Sequence, residues 1–324
     1  MSRIHTGFPD VSASSTVLDS PTGAALRLYR FAPAGTPRAV LMVLHGLAEH
    51  AGRYERLGTE LAAEGIAVYA HDHRGHGSTT AVDAPLRRFG GRGGRAKVLR
   101  DVQAVRHKAE ADWPGVPIVV LGHSMGAHIA LNHARTFGEG LAGLALWNAS
   151  FERGMAERVG LVALKAEKAL KGSDVASALF ARSTFEAWGR SVNPRRTESD
   201  WLSHDEAVVD RYRADPLCGW TPTISMVEDI LDWQGTGADP VLLSDLPRRL
   251  PIHCLGGTED PATAGGAAVR RFAGRLEEAG SLDVHCHIVA GARHETLNEA
   301  EPMRSEAVSE LRRFIESCAA RKTG

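Results

Sequence analysis

The sequence predicts an α/β fold, in which a mostly parallel sheet is flanked by helices and interrupted by a helical insertion. The chain has 324 residues, 43% of them hydrophobic and 24% charged, which suits one large α/β domain with an insertion. Short runs that are apolar on both faces alternate with helical patterns, as is typical of parallel strands covered by helices. This alternation stops after residue 150 and resumes near residue 252.

The elements of the core follow one another in a regular order. Strands are predicted over residues 40–44, 66–70, 118–121, 144–147, 252–255 and 282–289. Helices are predicted over residues 54–64, 96–112, 125–137, 267–279 and 303–319. Strands that alternate with helices in this way form right-handed crossovers within one parallel sheet. We therefore assign residues 1–150 and 236–324 to the core.

Residues 151–235 form the predicted insertion. No strand-like run appears in this segment, whereas helices are predicted over residues 155–171 and 177–188. We interpret the insertion as a helical cap, and its apolar residues either pack among themselves or line an acyl site. The sequence does not separate these two alternatives.

Composition and cysteine usage exclude several classes of protein. There are 38 basic and 39 acidic residues, whereas a dedicated nucleic-acid binder is normally clearly basic. No apolar run reaches the roughly 18 to 20 residues that a membrane span requires, and the first ten residues carry no visible secretory signal. The four cysteines form no C-x-x-C pair, so we expect free thiols in a reducing cytoplasm.

The strand over 118–121 runs into Gly-His-Ser-Met-Gly, and a helix follows at once. This is a G-x-S-x-G nucleophile elbow in the strand–turn–helix context that the motif requires. Gly122 and Gly126 leave room for the strained turn, and the helix N-terminus favours negative charge that develops beside Ser124. We therefore predict that Ser124 is a nucleophile in acyl transfer.

Such a serine needs a base and an acid that orients the base. Asp260 follows the strand over 252–255, at the edge of the sheet where the elbow also lies. Asp260 is therefore the predicted acid, with Glu259 as the competing candidate. His294, in the loop after the last strand, is the predicted base. His285 and His287 alternate within that strand, so we expect both to be structural or surface residues.

The oxyanion that forms during acyl transfer needs backbone N–H donors. The loop after the strand over 40–44 begins His-Gly-Leu, and Gly46 allows a turn that directs the Leu47 amide at the substrate. Met125, which follows the nucleophile, provides the second predicted donor.

These motifs resemble the monoacylglycerol lipase and lysophospholipase branch of the α/β-hydrolase superfamily, from about Arg38 to the last helix. Besides the elbow, the resemblance is carried by His-Gly-Leu-Ala-Glu-His-Ala-Gly-Arg-Tyr at 45–54, His-Asp-His-Arg-Gly-His-Gly-Ser at 71–78, Gly-Ala-Arg-His-Glu at 291–295 and Asp-Pro-Leu-Cys-Gly at 215–219. Two positions depart from the family pattern, which has glycine where Ala48 and Ala127 stand.

The resemblance implies a cap over the active site and hydrolysis of a fatty acyl ester, without a cofactor. We expect a small acyl-ester or lipid substrate and no nucleic-acid partner. Transient contact of the cap with a membrane surface stays open, as does the oligomeric state. The alternatives are a short-chain carboxylesterase, an amidase, or a binding protein that has kept the fold without catalysis.

The histidines at 71, 73 and 76 invite a different interpretation, because spaced imidazoles also occur in zinc hydrolases. The aspartate that would normally follow is missing, and no later set of ligands is evident. We therefore predict a structural turn held by Asp72 and Arg74, and no metal.

Overall fold

The computed structural model describes residues 2–3, 11–91 and 93–322. None of the helices in these ranges has the length and apolar character needed to cross a membrane. Most of the first ten residues, on which the prediction about a secretory signal depends, lie outside the described part of the chain. The four cysteines are free, as expected, and only Cys286 is exposed.

Ten strands form one sheet within the described residues. They are β1 (Ser2–Arg3), β2 (Val11–Asp19), β3 (Ala24–Pro33), β4 (Ala39–Leu44), β5 (Ile66–His71), β6 (Thr80–Ala81), β7 (Ile118–His123), β8 (Gly143–Trp147), β9 (Ile252–Gly257) and β10 (Val284–Val289). All six predicted strands are present, with ends that shift by two residues at most.

The strand order is β1-β2-β3-β5-β4-β7-β8-β9-β10, and β6 pairs with β3. The pairs from β5 to β10 are parallel, and the pairs that involve β1, β2, β3 or β6 are antiparallel. The predicted mostly parallel sheet is therefore confirmed. After β4 the chain runs to β5 on one side and then returns to β7 on the other, so the strand order reverses between β4 and β7.

Eleven α-helices occur in the described residues. They are α1 (Glu55–Ala63), α2 (Gly94–Asp112), α3 (Met125–Phe137), α4 (Met155–Lys171), α5 (Ala178–Ser183), α6 (Phe185–Ser191), α7 (Glu206–Ala214), α8 (Ile224–Thr236), α9 (Pro240–Leu243), α10 (Ala267–Glu278) and α11 (Met303–Lys322). Short 3₁₀ helices span Ala51–Tyr54, Pro261–Thr263 and Thr296–Asn298.

Helices cover both faces of the parallel part of the sheet. Val40, Met42 and Leu44 of β4 point to one face, where they join a core with residues of α2, α3, α8 and α10. Leu41 and Val43 point to the other face, where they join residues of α1 and α11. All six residues of β4 are buried, which explains why the strand is apolar at every position.

The antiparallel pair β2–β3 was not predicted from the sequence. These strands pair over their full length, from Val11 opposite Pro33 to Asp19 opposite Ala25. A signal for β3 was available, because Leu26 and Leu28 alternate with Arg27 and both leucines are buried. Gly23, with φ of 82°, provides the turn between the strands.

The prediction of one helix over 177–188 is wrong, because the segment forms α5 and α6 with a break at Thr184. The backbone of Thr184 has φ of −120° and ψ of −91°, outside the helical region. Its N–H and its hydroxyl both donate to the carbonyl of Phe180, at 3.0 and 2.6 Å. The N–H bond is the last helical bond of α5, and the hydroxyl shares the same carbonyl, a contact that Thr side chains make where helices bend.

The segment between β8 and β9 contains α4 to α9. Not all of it stands apart from the core, since α8 packs against α3. Met226, Ile230 and Trp233 of α8 belong to the same hydrophobic cluster as Leu131 and Ala134 of α3. The division of the chain at residues 151 and 235 stays a prediction.

Candidate active site

The site lies where the strand order reverses, at the C-terminal ends of β4 and β7. These strands are neighbours in parallel register, with Leu44 opposite Gly122. The loop after β4 and the turn after β7 therefore leave the sheet side by side. A crevice at such a reversal is the usual ligand site of an open α/β sheet.

Ser124 occupies the turn between β7 and α3 in a strained conformation. Its φ is 54° and its ψ is −117°, a combination that costs an ordinary residue about 1–3 kcal/mol. The N–H of Ser124 donates to the carbonyl of Trp147 on β8 at 2.9 Å, and its own carbonyl accepts from Ala127 at 2.9 Å. Strand pairing and the first turn of α3 thus hold the serine in this conformation.

The two glycines of the elbow are required by close backbone packing. A Cβ at Gly122 would lie 2.3 Å from the carbonyl oxygen of Gly126, and a Cβ at Gly126 would lie 1.9 Å from that of Leu44. Both separations are far below van der Waals contact. Ala127, where the family pattern has glycine, is fully buried in the core between α3 and the sheet.

Asp260 and His294 come together although 33 residues separate them in the chain. Nδ1 of His294 lies 3.0 Å from each carboxylate oxygen of Asp260. The carboxylate is fully buried and also accepts from the N–H of Ala262 at 2.9 Å. Neutral His294 therefore carries its proton on Nδ1, which leaves Nε2 free to accept a proton.

The competing candidates lie elsewhere. The side chain of Glu259 is 54% exposed and its Oε2 is 3.2 Å from Nε2 of His204. His285 is exposed beside Asp283, and His287 is half-exposed with its Nε2 2.7 Å from Glu306. Neither histidine approaches Ser124 along the sheet, because both lie within β10 rather than beyond its end.

Two tryptophans from the segment between β8 and β9 pack around His294. The ring centre of Trp201 lies 4.9 Å from that of His294, and the ring centre of Trp188 lies 6.3 Å from it. The backbone also joins the two segments, since the N–H of His294 donates to the carbonyl of Trp201 at 3.3 Å. From the sequence, Trp188 was only one of the apolar residues of the predicted insertion, and Trp201 was missed, because a tryptophan in the sequence carries no sign of its partner.

The loop after β4 approaches the serine closely. A Cβ at Gly46 would lie 3.5 Å from Cβ of Ser124, and 2.7 Å from a carboxylate oxygen of Glu49. Leu47, Ser124 and Met125 line the same cavity. Met125 is the first residue of α3, so its N–H has no acceptor within the helix.

A buried network beneath this loop was also missed. Oε1 of Glu49 accepts from the N–H of Gly46 at 2.5 Å and lies 3.3 Å from Nδ1 of His123. Nε2 of His123 donates to the carbonyl of His294 at 3.0 Å. Burial by itself lowers the pKa of His123, but the carboxylate of Glu49 outweighs burial and raises that pKa. Burial by itself raises the pKa of Glu49, but Arg53 and His123 outweigh burial and hold that pKa well below its usual range.

Arg53 extends the network to the loop that carries His294. Its guanidinium donates to Glu49 at 2.7 Å and to both carboxylate oxygens of Glu295 at 2.5 and 2.6 Å. Glu49, Arg53 and Glu295 are nearly fully buried, which favours a well-defined geometry because each charge is paired. The loops that carry Leu47 and His294 are thereby tied to each other. All three residues occur in motifs noted in the sequence, which was the available signal.

A cavity of about 430 Å³ lies beside Ser124 and His294. From the core its walls include Gly46, Leu47, Glu49, His123, Ser124, Met125, His128, Asn148, His294 and Glu295. From the segment between β8 and β9 they include Leu164, Leu179, Phe180, Phe185, Trp188, Trp201, Tyr212, Val227, Ile230, Leu231 and Gln234. The core thus supplies most of the polar groups, and the inserted helices supply most of the apolar wall.

The histidines at 71, 73 and 76 are buried, and most of their ring nitrogens have no hydrogen-bond partner. In the described residues, the donor atoms close enough to share a metal ion are instead those of His50, Asp215 and Cys218. Nε2 of His50 already donates to Asp215 at 2.9 Å, and its Nδ1 accepts from the N–H of Gly52 at 3.2 Å. A metal on Nε2 would have to displace that proton.

Asp72 and Arg74 do connect loops, as predicted. Asp72 accepts from the N–H groups of Ala51 and Ser78, at 2.9 and 2.7 Å. Nε of Arg74 donates to Asp101 at 2.7 Å, and its Nη1 donates to Asp83 at 2.8 Å. Both side chains are fully buried, so these bonds hold the turn after β5 against α2 and the 3₁₀ helix before α1.

Comparisons with known proteins agree with this architecture. The sequence profile of the family described as serine aminopeptidase, S33, matches residues 35–301. The monoglyceride lipase of Homo sapiens is 32% identical over 185 residues, which cover 57% of this chain and 54% of the human protein. The match thus spans about half the length of that relative. The monoacylglycerol lipase of Mycolicibacterium smegmatis is 27% identical over 279 residues, which cover 83% of this chain and 85% of that protein.

Solved structures show the same fold. A lipase in an open form superposes with a TM-score of 0.79 at 27% identity, over 95% of this chain and 99% of the lipase. A thermostable carboxyl esterase from Bacillus coagulans, in complex with glycerol, gives 0.83 at 24% identity over the same shares of the two chains. A soluble variant of monoglyceride lipase from Saccharomyces cerevisiae, bound to a substrate analogue, gives 0.74 at 15% identity over 97% and 98%. The predicted fold class is confirmed.

Proposed function

The chain belongs to the serine aminopeptidase S33 family, and on this premise we propose that it is a serine hydrolase that cleaves carboxylic esters of single-chain acyl lipids. Within the α/β-hydrolases it is a member of the monoacylglycerol lipase branch, as its motifs predicted. Monoacylglycerols and lysophospholipids are the proposed substrates. One observation carries the proposal: a strained serine and a histidine that is hydrogen-bonded to a buried carboxylate line one cavity with an apolar wall.

In the proposed mechanism, Ser124 attacks the ester carbonyl while Nε2 of His294 takes the serine proton. Asp260 holds the Nδ1 proton and stabilises the imidazolium that forms. The N–H groups of Leu47 and Met125 stabilise the oxyanion of the tetrahedral intermediate. His294 then protonates the departing alcohol, which leaves an acyl ester on Ser124. Water, deprotonated by His294, attacks that ester and releases the fatty acid.

The acyl chain is proposed to lie against the wall that α4, α5 and α8 contribute. Leu164, Phe180 and Ile230 represent these three helices in the cavity. Burial of the chain there removes apolar surface from water, which favours longer acyl groups over acetyl esters. Because the family description names an aminopeptidase, cleavage of an amide is the second candidate, and matched ester and amide substrates distinguish the two.

We also propose that α4 contacts a lipid surface. Met155, Val159, Val162 and Leu170 are 62 to 85% exposed and follow the spacing of one helical face. Leu164 on the same helix is buried and lines the cavity. One helix would thus meet both the lipid surface and the acyl chain. Replacement of Val159 and Val162 by Asp should abolish cosedimentation with lipid vesicles and leave hydrolysis of a water-soluble ester unchanged.

The catalytic proposal is tested with a fluorophosphonate and a chromogenic acyl ester. We expect covalent labelling at Ser124 and ester hydrolysis that saturating EDTA does not affect. Ser124→Ala should lose both the labelling and the hydrolysis. Hydrolysis of p-nitrophenyl octanoate should exceed that of octanoyl p-nitroanilide. An unlabelled Ser124, or an activity that EDTA removes and zinc restores, would contradict the mechanism. Absence of hydrolysis despite binding of the ester would favour the non-catalytic alternative.

A further inference from the structure

A buried histidine in the cavity wall has no role in the proposed chemistry. His128 lies on α3 one turn beyond Ser124, lines the cavity, and is 7% exposed. Its Nδ1 has no hydrogen-bond partner in the described residues. Its ring packs edge-on against Phe151, with 4.6 Å between the ring centres. Its Nε2 also makes no hydrogen bond within the described part of the chain and, unlike Nδ1, keeps some accessible surface. Natural proteins rarely leave polar atoms of a buried side chain without a partner, so this imidazole calls for a ligand group or a water molecule, which would reach it at Nε2.

His128 is neutral near pH 7. Burial lowers the pKa of His128 to about 3, and no charged side chain contributes to that shift. A neutral imidazole offers one N–H donor and one acceptor nitrogen. Over the described ranges, the cavity wall contains no Lys or Arg side chain, and its carboxylates, Glu49 and Glu295, are already paired with Arg53, so the wall offers an anionic ligand group no lysine or arginine partner. The ligand group that suits this ring is therefore an uncharged group that can donate and accept hydrogen bonds, such as a hydroxyl.

A second polar group in the cavity wall, Gln234, is connected to the surroundings of His128 through Glu152 and Phe151. Gln234 follows Val227, Ile230 and Leu231 on the face of α8 that lines the cavity. Its Nε2 donates to the carbonyl of Glu152 at 2.8 Å, and in the described residues its Oε1 accepts no bond. Glu152 is the neighbour of Phe151, which touches His128. The apolar stripe of α8 therefore ends at a polar residue that is bonded to the neighbour of Phe151.

We propose that this pair, His128 and Gln234, binds a hydroxyl group on the acyl chain of the substrate, a few carbons from the ester carbonyl. The position follows from the helix, since one turn of α3 separates His128 from Ser124 by about 5.4 Å. The hydroxyl accepts from the imidazole N–H and donates to Oε1 of Gln234. The preferred substrates are then esters of hydroxylated fatty acids. This inference rests on the ester hydrolysis proposed above.

Ethyl decanoate and four hydroxylated derivatives, isomers of one another with the hydroxyl at carbon 3, 5, 7 or 9, test the proposal, with the released acid titrated against an enzyme-free control. In the unaltered protein, at least one hydroxylated isomer should exceed decanoate in kcat/KM by tenfold or more. His128→Leu should reduce that advantage to within twofold, measured as the ratio of kcat/KM on the hydroxylated ester to kcat/KM on decanoate in the same variant. Gln234→Leu should reduce the advantage in part, and His128→Asn, which keeps a polar group, should retain part of it.

His133→Leu is the matched control. His133 is a buried histidine of the same helix, but its Nε2 lies 2.9 Å from Oε1 of Gln103, and the cavity wall does not include it. Its replacement should leave the preference for the hydroxylated ester unchanged. Thermal unfolding of each variant separates lost recognition from lost folding, and Gln234→Leu keeps the test decisive if His128→Leu does not fold.

The opposing outcomes are distinct. If the unaltered protein prefers decanoate to every isomer, or if His128→Leu keeps the preference, the inference is overturned while ester hydrolysis stands. A His128-dependent preference for 2-hydroxyethyl decanoate over ethyl decanoate would place the hydroxyl in the alcohol and also overturn it. If no ester is hydrolysed and Ser124 is not labelled, the proposed function fails, and this inference fails with it.

Discussion

Single residues beside the cavity are held in conformations that most side chains avoid. Ala48 and Ser124 have φ of 57° and 54°, values that residues with a Cβ rarely adopt and that cost about 1–3 kcal/mol. The carbonyl of Ala48 accepts from Gly219 at 2.9 Å, which ties the loop after β4 to the inserted segment. The family pattern has glycine at this position, and the positive φ supplies the reason.

The acid of the proposed triad is tested by neighbouring amides. Asp260→Asn should lower kcat by about 10³- to 10⁴-fold, because His294 loses the partner that fixes its tautomer and stabilises its charge. Glu259→Gln should lower kcat far less, since its exposed carboxylate meets His204 instead. Steady-state kinetics of the two variants decide the matter, and a more severe effect of Glu259→Gln would move the assignment by one residue.

Two glycine substitutions separate close packing from helix propensity. In Gly126→Ala the new methyl group would lie 1.9 Å from the carbonyl oxygen of Leu44, so we expect a loss of several kcal/mol of stability, or no folding. Gly274→Ala in α10 is the control, because nothing lies within 4 Å of the added Cβ. It should raise the free energy of unfolding by about 0.5–1 kcal/mol. Urea unfolding of both variants measures the difference, and similar free energies would refute the packing argument.

At the scale of elements, α4 has two apolar faces with different surroundings. Leu164 is buried and lines the cavity, whereas Val162 is 68% exposed on the other side of the helix. Together with α5 and α8, this helix forms much of the apolar wall of the cavity of about 430 Å³. Under the proposed function, the inserted segment would shape the acyl site, while the residues proposed for the chemistry come from the core.

The acyl-chain preference follows from this arrangement. For unsubstituted p-nitrophenyl esters, kcat/KM should rise about fourfold per methylene, the equivalent of about 0.8 kcal/mol, until the cavity is full, and then level off. Leu164→Trp fills part of the cavity and should move the optimum to shorter chains. Val162→Trp, on the exposed face of α4, is the control and should leave the optimum in place. An optimum that neither variant moves would place the acyl site elsewhere.

At the scale of the whole molecule, an unusual number of histidines are buried without charge. Burial lowers the pKa of six of them to about 3, and that of His73 well below its usual range. The six are His45, His71, His76, His128, His133 and His253. Each is neutral in the folded protein near pH 7. In the unfolded chain its pKa returns to about 6.5, so below that pH it binds a proton when the chain unfolds. His123 acts in the opposite sense, because its pKa is raised.

The fold should therefore be sensitive to acid. The stability that these histidines contribute is complete above pH 6.5 and is lost as the pH falls from 6.5 towards 3, since the unfolded chain binds more protons there. At pH 5 a single such histidine lowers the free energy of unfolding by about 2 kcal/mol relative to its value above pH 6.5. The combined loss from a few of them is comparable to the whole free energy of unfolding of a typical domain. Urea unfolding between pH 7.5 and 5 should show a steep loss of stability.

Two leucine substitutions check the origin of this acid sensitivity. His133→Leu removes a buried histidine. Between pH 6 and 5 it should reduce the slope of the free energy of unfolding against pH by about 1.4 kcal/mol per pH unit, which corresponds to one proton. His285→Leu, at an exposed histidine, is measured beside His133→Leu as the control for a histidine-to-leucine substitution outside the core. A free energy of unfolding that stays constant from pH 7.5 to 5 would refute the buried-histidine explanation.

The sequence by itself determined the parallel sheet and the chemistry-bearing motifs. The strand β4, and β7 as far as Leu121, are apolar at every position because both faces are buried, and that pattern is local. The elbow is also a local motif, since glycines that permit close packing stand two residues from the serine. The break at Thr184 and the strand β3 were missed because a short hydrogen-bonding side chain and a weak alternation are ambiguous without their partners.

Only the tertiary structure decided how distant segments combine into a site. The sheet brings the loop after β4, the elbow and the His294 loop to one edge, where Glu49, His123 and Arg53 tie them together. The tryptophans around His294, the polar residue at the end of the apolar stripe of α8 and the buried histidines depend on contacts between residues far apart in the chain. Sequence patterns report the burial of a residue within its own element, whereas its partners across a cavity are set by the packing of whole elements.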